Sequence, residues 1–204
     1  MTLRDFQSAL ASSSPTPGGG TAAAVALGQA ASLTVMVCDL TLGNEKWSDG
    51  WAVAEEAQTV AIPLLNKAGE LAQADSDAFD VVMDSFKLAK STDAEKTERR
   101  ETIREATLVA AEVPYETARA ALALMKHLPE LAKRGNGNAV SDVGVAGLLA
   151  SAAAKGAVFN VEINLGSLPE EMGGEIRSNL LTLKNDVKVI SREIMQAVRN
   201  RLEE

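Results

Sequence analysis

Three short polar segments interrupt a chain otherwise rich in alanine, leucine and valine. The first is the loop 14–20, Ser-Pro-Thr-Pro-Gly-Gly-Gly, which runs directly into an apolar stretch beginning at Thr21. Backbone N–H groups at the positive end of a helix can bind an anion or a carbonyl oxygen. The same pattern is typical of a tight corner whose glycines only let helices approach, and spacing alone favours neither interpretation. The residues concerned are Pro17, Gly18, Gly19, Gly20 and Thr21.

The second polar segment follows a Lys-Arg pair and contains Asn136, Asn138, Ser141 and Asp142. Ser141 or Asn138 at this place is most often the cap of the next helix. Asp142 precedes an apolar, glycine-rich stretch, where a carboxylate is partly desolvated and its pKa is open to tuning. Asp142 is therefore a candidate acid or base.

The third segment, 160–164, carries Asn160 and Asn164 four residues apart, which places them on one face of a helix. Amide side chains offer both donors and acceptors and suit a flat heterocycle with mixed edges. The alternative is that they cap a helix end. We expect the three polar segments to converge on a single ligand pocket.

A fourth group of polar residues falls on a predicted long helix. Asp75 and Lys90 are about four turns apart, so a straight helix keeps them out of contact. By themselves Asp75, Asp77, Asp80 and Asp84 indicate a solvated face. Cys38 in an apolar run is typical of a small core residue, and His127 beside a proline is typical of a helix end.

Composition limits both the fold and the chemistry. The chain has 204 residues, of which 46% are hydrophobic but only 3% aromatic, which favours close-packed helices over a β-sandwich. A net charge of −8 disfavours nucleic acid as a partner. One cysteine and one histidine cannot form an internal disulfide or a histidine-rich metal site. The sequence therefore predicts an all-α protein without a metal site.

Hydrophobic periodicity and capping residues predict the helices. Capping boxes at Thr2 and Thr92 start two of them, and Pro63 and Gly69 interrupt a stretch that forms one long helix or two. The predicted segments are 2–11, 21–42, 51–90, 92–125, 139–164 and 172–202. Segment 21–42 is long and apolar enough to be considered as a membrane span, but its many alanines and its polar interruptions favour a buried central helix.

These elements account for residues 1–204 as one multihelical bundle domain with long antiparallel helices. The N-terminus has no basic stretch leading into an apolar run, so we expect no secretory signal and a cytoplasmic protein. We expect no membrane association. The alanine- and glycine-rich helices need more cover than one bundle provides, which predicts an oligomer.

Eight short motifs follow one another along nearly the whole chain, and their order is far more specific than any one motif. They include Pro15-x-Pro-Gly-Gly-Gly-Thr21, Asp75-x-x-Ala-Phe79, Lys90 followed by Arg99, Val113-Pro114, Gly135-Asn136, Ser141-Asp142 and Asn160-Val-x-Ile-Asn164. In this order the motifs resemble the formiminotetrahydrofolate cyclodeaminase and methenyltetrahydrofolate cyclohydrolase family.

The resemblance implies an all-helical homodimer that binds a reduced folate without metal or nucleotide. It implies Asp142 as acid or base, Asp75 as a second carboxylate and Lys90 as proton donor or charge partner. Both family reactions pass through a tetrahedral carbon flanked by nitrogens, which calls for proton transfer.

The resemblance also implies residues that bind substrate. The asparagines, with Ser141 nearby, would bind the pterin edge, whereas Lys90 and Arg99 would hold the anionic glutamate tail. Of the two activities, the chain is more similar to the cyclohydrolases, which hydrolyse the methenyl bridge to 10-formyltetrahydrofolate. The alternatives are a cyclodeaminase that releases ammonia and a helical dimer that binds folate without catalysis or is purely structural.

Overall fold

A computed structural model describes residues 2–204, which form seven α-helices and no β-strand. Two short 3₁₀ turns, Glu45–Gly50 and Gly137–Ala139, lie in the connections. The all-α architecture predicted from the composition is confirmed. The helices are α1 (Leu3–Leu10), α2 (Gly19–Thr41), α3 (Trp51–Ser85), α4 (Asp93–Met125), α5 (Leu128–Arg134), α6 (Val140–Gly166) and α7 (Gly174–Leu202).

Local side-chain chemistry sets the first residues of α1 and α4. At α1 the Asp5 N–H donates to Thr2 Oγ1 at 3.2 Å, and the Thr2 N–H donates back to Asp5 Oδ2 at 2.8 Å. Thr92 and Glu95 make the same reciprocal pair at α4. Both predicted capping boxes are confirmed, and each satisfies donors that the first turn leaves without partners.

Two helix boundaries differ from the sequence prediction in ways that matter for function. The second helix begins at Gly19 rather than Thr21, so two of the three loop glycines lie in its first turn. The third helix is continuous through Pro63 and ends at Ser85, not at Lys90. Lys90 therefore lies in the connection to α4 rather than on a helix.

The α2 helix lies between α3 and α6, antiparallel to both, and is the centre of the core. Thr21 near the start of α2 meets Asp75 on α3, and Gln58 of α3 meets Asp39 near the end of α2. The interface is made of small side chains, among which Ala24, Ala30 and Ala31 are fully buried. An alanine-rich core brings helix backbones close together, and this closeness explains the low aromatic content.

Glycines allow a similarly close approach between α6 and α7. A Cβ added at Gly147 would lie 2.6 Å from Ile194 Cγ2, and one added at Gly144 would lie 3.2 Å from a Val198 methyl carbon. Ile194 is fully buried at this contact. These two glycines therefore let α7 pack closely against α6.

Two helices, α2 and the segment Gly137–Gly166 that contains α6, are long and apolar enough to cross a membrane by length and composition. About half of each apolar window is buried inside the fold, 50% and 56% respectively. The interpretation of α2 as the central core helix is confirmed by its fully buried residues, which include Leu27, Val37 and Cys38. Burial raises the pKa of the Cys38 thiol to about 12, which makes it an inert core group.

Candidate functional site

A cavity of about 270 Å³ lies where the start of α2 meets α3, α4 and α6. Its wall combines the glycine loop with one carboxyl, two amides and a few apolar groups. The loop 14–20 thus forms one side of a pocket and is more than a corner between helices. The lining residues are Pro15, Thr16, Gly18, Gly19, Gly20, Asp75, Phe79, Ala110, Asn160, Ile163 and Asn164.

The Asp75 carboxyl lies directly against the first turn of α2. A Cβ added at Gly20 would lie 2.1 Å from Asp75 Oδ1 and 2.7 Å from its Cγ, so this close approach requires glycine. Thr21 Oγ1 donates to Asp75 Oδ2 at 2.9 Å and lies 3.1 Å from the Ser76 hydroxyl oxygen. The Gly18 N–H in turn donates to Thr21 Oγ1 at 3.4 Å, which links loop, helix and carboxyl.

Burial raises the pKa of Asp75 above its ordinary value, and the hydrogen bonds from Thr21 offset part of that rise. Asp77, Asp80 and Asp84 are exposed, as the prediction of a solvated face requires, whereas Asp75 is half-buried. The difference arises because Asp75 faces α2 in the antiparallel packing. A desolvated carboxyl with a raised pKa is a stronger base than an exposed one and is suited to accepting and returning a proton.

The two asparagines of α6 add hydrogen-bond acceptors to the cavity. The Asn160 amide nitrogen donates to the Gly156 carbonyl at 3.0 Å, and the Asn164 amide nitrogen donates to the Ala110 carbonyl at 2.6 Å. Within residues 2–204 neither amide oxygen has a hydrogen-bond partner, so both are available to a ligand. Together with Asp75 they favour a ligand that is positively charged or rich in N–H groups.

The first turn of α2 offers donors at the same cavity. No side chain of the described residues caps this helix start, and the first α2 backbone bond runs from the Ala22 N–H to the Gly18 carbonyl. The N–H groups of Gly19 and Gly20 therefore remain available for an oxygen atom of a ligand. The cavity thus combines acceptors on α3 and α6 with donors on α2.

The second polar segment lies at the opposite end of the bundle. The N–H of Asn136 donates to Thr41 Oγ1 at 3.0 Å, and its side chain donates to the Leu40 carbonyl at 2.9 Å, which ties this loop to the end of α2. Asn138 donates its own N–H to Asn136 Oδ1. Asn138 and Ser141 are exposed.

Asp142 lies half-buried in the first turn of α6, eighteen residues before Asn160 on the same helix. At 1.5 Å per residue the two are about 27 Å apart. A carboxylate in the first turn of a helix stabilises the helix through its dipole, and this alone accounts for an acidic residue at position 142. The expected convergence of all polar segments on one pocket does not hold within one copy of the chain, because α6 is a single helix of 27 residues that begins near Asp142 and carries Asn160 near its other end.

Lys90 and Arg99 lie at the far end of the α3–α4 hairpin. Lys90 is exposed in the connection, and Arg99 Nη2 donates to the Phe86 carbonyl at 3.0 Å with its guanidinium 5.4 Å from the Phe86 ring centre. Ala110 in the cavity wall lies eleven positions after Arg99 on α4, which is about 16 Å along the helix. Neither cation contacts the cavity.

Phe79 and Ile163 line the cavity although sequence reasoning did not single them out as binding residues. Phe79 follows Asp75 by one helical turn, and that spacing is a signal that could have identified it. Ile163 is 72% exposed on an apolar helix, which sequence alone cannot distinguish from a core isoleucine.

Pro17, predicted to bind, belongs to the loop but is absent from the cavity wall. Within residues 2–204 no group of three or more His, Cys, Asp or Glu side chains is arranged to hold a metal ion.

Known proteins resemble this chain over nearly its whole length. Residues 2–179 match the family described as formiminotransferase-cyclodeaminase. The chain is 34% identical over 202 residues to a methenyltetrahydrofolate cyclohydrolase of Methylorubrum extorquens, covering 98% of this chain and 97% of that protein. It is 33% identical over 184 residues to a chicken formimidoyltransferase-cyclodeaminase, of which it spans only 33%.

A solved structure shares the fold. The crystal structure of formiminotetrahydrofolate cyclodeaminase from Thermotoga maritima matches with a TM-score of 0.80 and 28% identity, over 100% of this chain and 96% of that one. Sequence and structure thus agree over essentially the same residues. The chain belongs to the formiminotransferase-cyclodeaminase family.

Proposed function

We propose that this chain is a methenyltetrahydrofolate cyclohydrolase that opens the methenyl bridge with water to give 10-formyltetrahydrofolate. The observation that carries the proposal is the half-buried Asp75 carboxyl, held by Thr21 at a cavity that also contains Asn160 and Asn164. Similarity to the Methylorubrum cyclohydrolase over almost the full length of both chains supports the choice of reaction.

The acceptors of the cavity match the charge of this substrate. The bridge N5=CH–N10 is an amidinium cation, and a carboxylate with two amide oxygens stabilises a cation in a partly desolvated site. A volume of about 270 Å³ is below the range of about 300–1,000 Å³ usual for whole ligands. The cavity therefore accepts the reacting rings, and the rest of the folate extends outside it.

In the proposed mechanism Asp75 transfers the proton. Its carboxylate takes a proton from water as the water oxygen bonds to the methenyl carbon, which neutralises the cation. The carboxyl then returns a proton to N5 as the carbon–N5 bond breaks, and the hydroxyl loses its proton to solvent as the formyl C=O forms on N10. The N–H groups of Gly19 and Gly20 stabilise the oxygen through these steps. The balance is substrate cation plus water giving product plus one proton, with no cofactor besides the folate.

Formiminotetrahydrofolate cyclodeaminase is the second candidate, supported by the match to the Thermotoga structure. In that reaction N10 attacks the formimino carbon on N5, and ammonia leaves. One assay separates the two. With methenyltetrahydrofolate as substrate the absorbance of the methenyl chromophore falls for a cyclohydrolase, and with 5-formiminotetrahydrofolate it rises for a cyclodeaminase.

If neither signal changes, the remaining candidates are a helical dimer that binds folate without catalysis and one that is purely structural. A folate analogue that binds in calorimetry then favours the first, and no binding favours the second.

We further propose a cytoplasmic homodimer formed through one apolar face. Met36 and Leu40 on α2 and Val145 and Leu148 on α6 are exposed on two helices that pack against each other, and we call these four side chains the α2–α6 face. Water-exposed apolar side chains on helices that are apolar all round are typical of a surface that another molecule covers. The proposed cover is a second copy of the chain, because the same four apolar side chains of two copies can meet across a two-fold axis.

A further inference from the structure

A groove of about 430 Å³ runs between α6 and α7, separate from the cavity. Its apolar walls include Ala154, Val158 and Val187. Phe159 stands at its side and is 64% exposed, although a phenylalanine of a folded domain is usually covered. An exposed aromatic ring beside an apolar groove provides a surface on which a planar ring can stack.

The charge of this groove is opposite to that of the protein. Lys155, Lys184 and Lys188 line it together with a single acidic residue, Glu162, which forms an ion pair with Lys184. Three cations against one anion leave a net charge of +2 in a chain whose net charge is −8. The groove therefore attracts an anion with an apolar or aromatic body.

Only the width of α6 separates this groove from the cavity. Phe159 and Glu162 line the groove, whereas their neighbours Asn160 and Ile163 line the cavity. An α-helix with its side chains is about 10–12 Å across, and the ridge between the two sites carries the exposed Phe159 and Ile163. A ligand too long for the cavity can cross this ridge over apolar contacts and reach the lysines.

The other candidate cations are less suitable. Arg99 donates to the Phe86 carbonyl and lies over the Phe86 ring, about 16 Å along α4 from Ala110 in the cavity wall. Lys90 lies in the connection before α4, at the same end of the α3–α4 hairpin. Lys155 and Lys188 form no ion pair among the described residues, so their charges are available.

We propose that the groove between α6 and α7 binds the anionic tail of the substrate, with the benzoyl ring on Phe159 and the glutamate carboxylates at Lys155, Lys184 and Lys188. The inference rests on the proposed function, because it takes the folate as ligand. It assigns the tail to a different set of cations from the Lys90 and Arg99 implied by the family resemblance.

The test compares KM for methenyltetrahydrofolate carrying one glutamate with KM for the same compound carrying four γ-linked glutamates. For the unaltered protein we expect KM about threefold to tenfold lower with four glutamates, as a few solvent-exposed ion pairs provide. Raising the ionic strength should reduce this difference. The double substitution Lys155→Gln/Lys188→Gln should bring the KM ratio close to one.

Two further variants sharpen the test. Glu162→Gln frees Lys184 from its partner and should increase the advantage of the longer tail, a gain that a merely structural role would not produce. The control Lys67→Gln/Lys126→Gln removes two exposed lysines elsewhere, on α3 and just after α4, and should leave the ratio unchanged.

The outcomes distinguish this inference from the proposed function. Turnover with a KM ratio of one in the unaltered protein overturns the groove assignment alone. A second result also overturns the groove assignment: Lys90→Gln/Arg99→Gln brings the KM ratio to one, whereas Lys155→Gln/Lys188→Gln keeps the ratio of the unaltered protein. That result would place the tail at the α3–α4 end. Absence of turnover with every folate overturns the proposed function and this inference together.

Discussion

Among single residues, Asp75 carries the most chemistry and is also a source of instability. Its carboxyl is kept partly out of water by the first turn of α2, where Gly20 leaves room for it and Thr21 donates to it. Desolvation outweighs the hydrogen bonds and raises the pKa of Asp75. A group placed in this way is typical of a functional site, because stability alone would favour an uncharged residue there.

Asp75→Asn should therefore separate stability from activity. Because the pKa of Asp75 is higher in the folded than in the unfolded chain, ionised Asp75 lowers stability, and this penalty disappears as the pH falls below about 4. We expect the melting temperature of the variant, relative to the unaltered protein, to rise between pH 4 and pH 8. Turnover should fall about 10²–10⁴-fold, because a general base is lost. The proposed desolvation would be contradicted if the melting temperatures of the variant and the unaltered protein differed by the same amount at pH 8 as at pH 4.

Gly20→Ala should impair the site by steric contact. The new methyl group would lie 2.1 Å from Asp75 Oδ1, so the carboxyl must rotate away from Thr21 and from the cavity. Displacement of a catalytic group by about 1 Å can lower turnover about 10²-fold. The matched control is Gly69→Ala, where nothing lies within 4 Å, and α3 should gain about 0.5–1 kcal/mol in unfolding free energy with turnover retained. Steady-state kinetics and thermal melts of both variants give the answer; equal turnover in the two would remove Gly20 from the site.

Among the helices, α2 and α6 have apolar residues on every side, yet each keeps one side exposed in a single chain. The α2 helix begins at the loop 14–20, and α6 begins at the second polar segment, around Asp142. The two helices run antiparallel over most of their length. The packing that buries their inner sides thus determines which apolar residues remain for a partner. The α2–α6 face is the result.

A charged residue on the α2–α6 face should prevent dimerisation. Leu148→Glu would place a carboxylate in the proposed interface of each copy, where it meets its own symmetry mate or an apolar surface. Sedimentation velocity should change from a species of two 21.4 kDa chains to one such chain. Leu181→Glu, on the exposed side of α7, should leave the dimer intact. An unaltered protein that sediments as one chain would contradict the dimer.

For the whole molecule, the arrangement of the helices assigns the two acidic candidates to opposite ends. Asp75 lies at the cavity, and Asp142 lies about 27 Å from Asn160 along α6. Asp142→Asn should therefore keep turnover within a few-fold of the unaltered protein, whereas Asp75→Asn should not. The same chromophore assay measures both. Loss of turnover in Asp142→Asn, with folate binding retained, would instead show that a second copy brings its Asp142 to the cavity.

Some elements of this molecule were predictable because their causes are local. Thr2 and Thr92 meet carboxylates three residues later, so both helix starts depend on contacts within one turn. The pairing of Asn160 and Asn164 on one side of α6 also follows from helix periodicity. By contrast, the close approach of Asp75 to Gly20 joins residues 55 positions apart in the sequence, which no local rule includes.

By itself, then, the sequence determined that the chain is helical, where most helices begin, that aromatic residues are few in the core, and which polar residues are candidates for a functional site. Only the tertiary structure decided that Asp75 is half-buried while Asp77 and Asp80 are not, and that Asn136 and Asp142 lie far from Asn160. The physical reason is register. Helix formation depends on contacts within four residues, whereas the meeting of Gly20 with Asp75 depends on how two antiparallel helices slide and turn against each other.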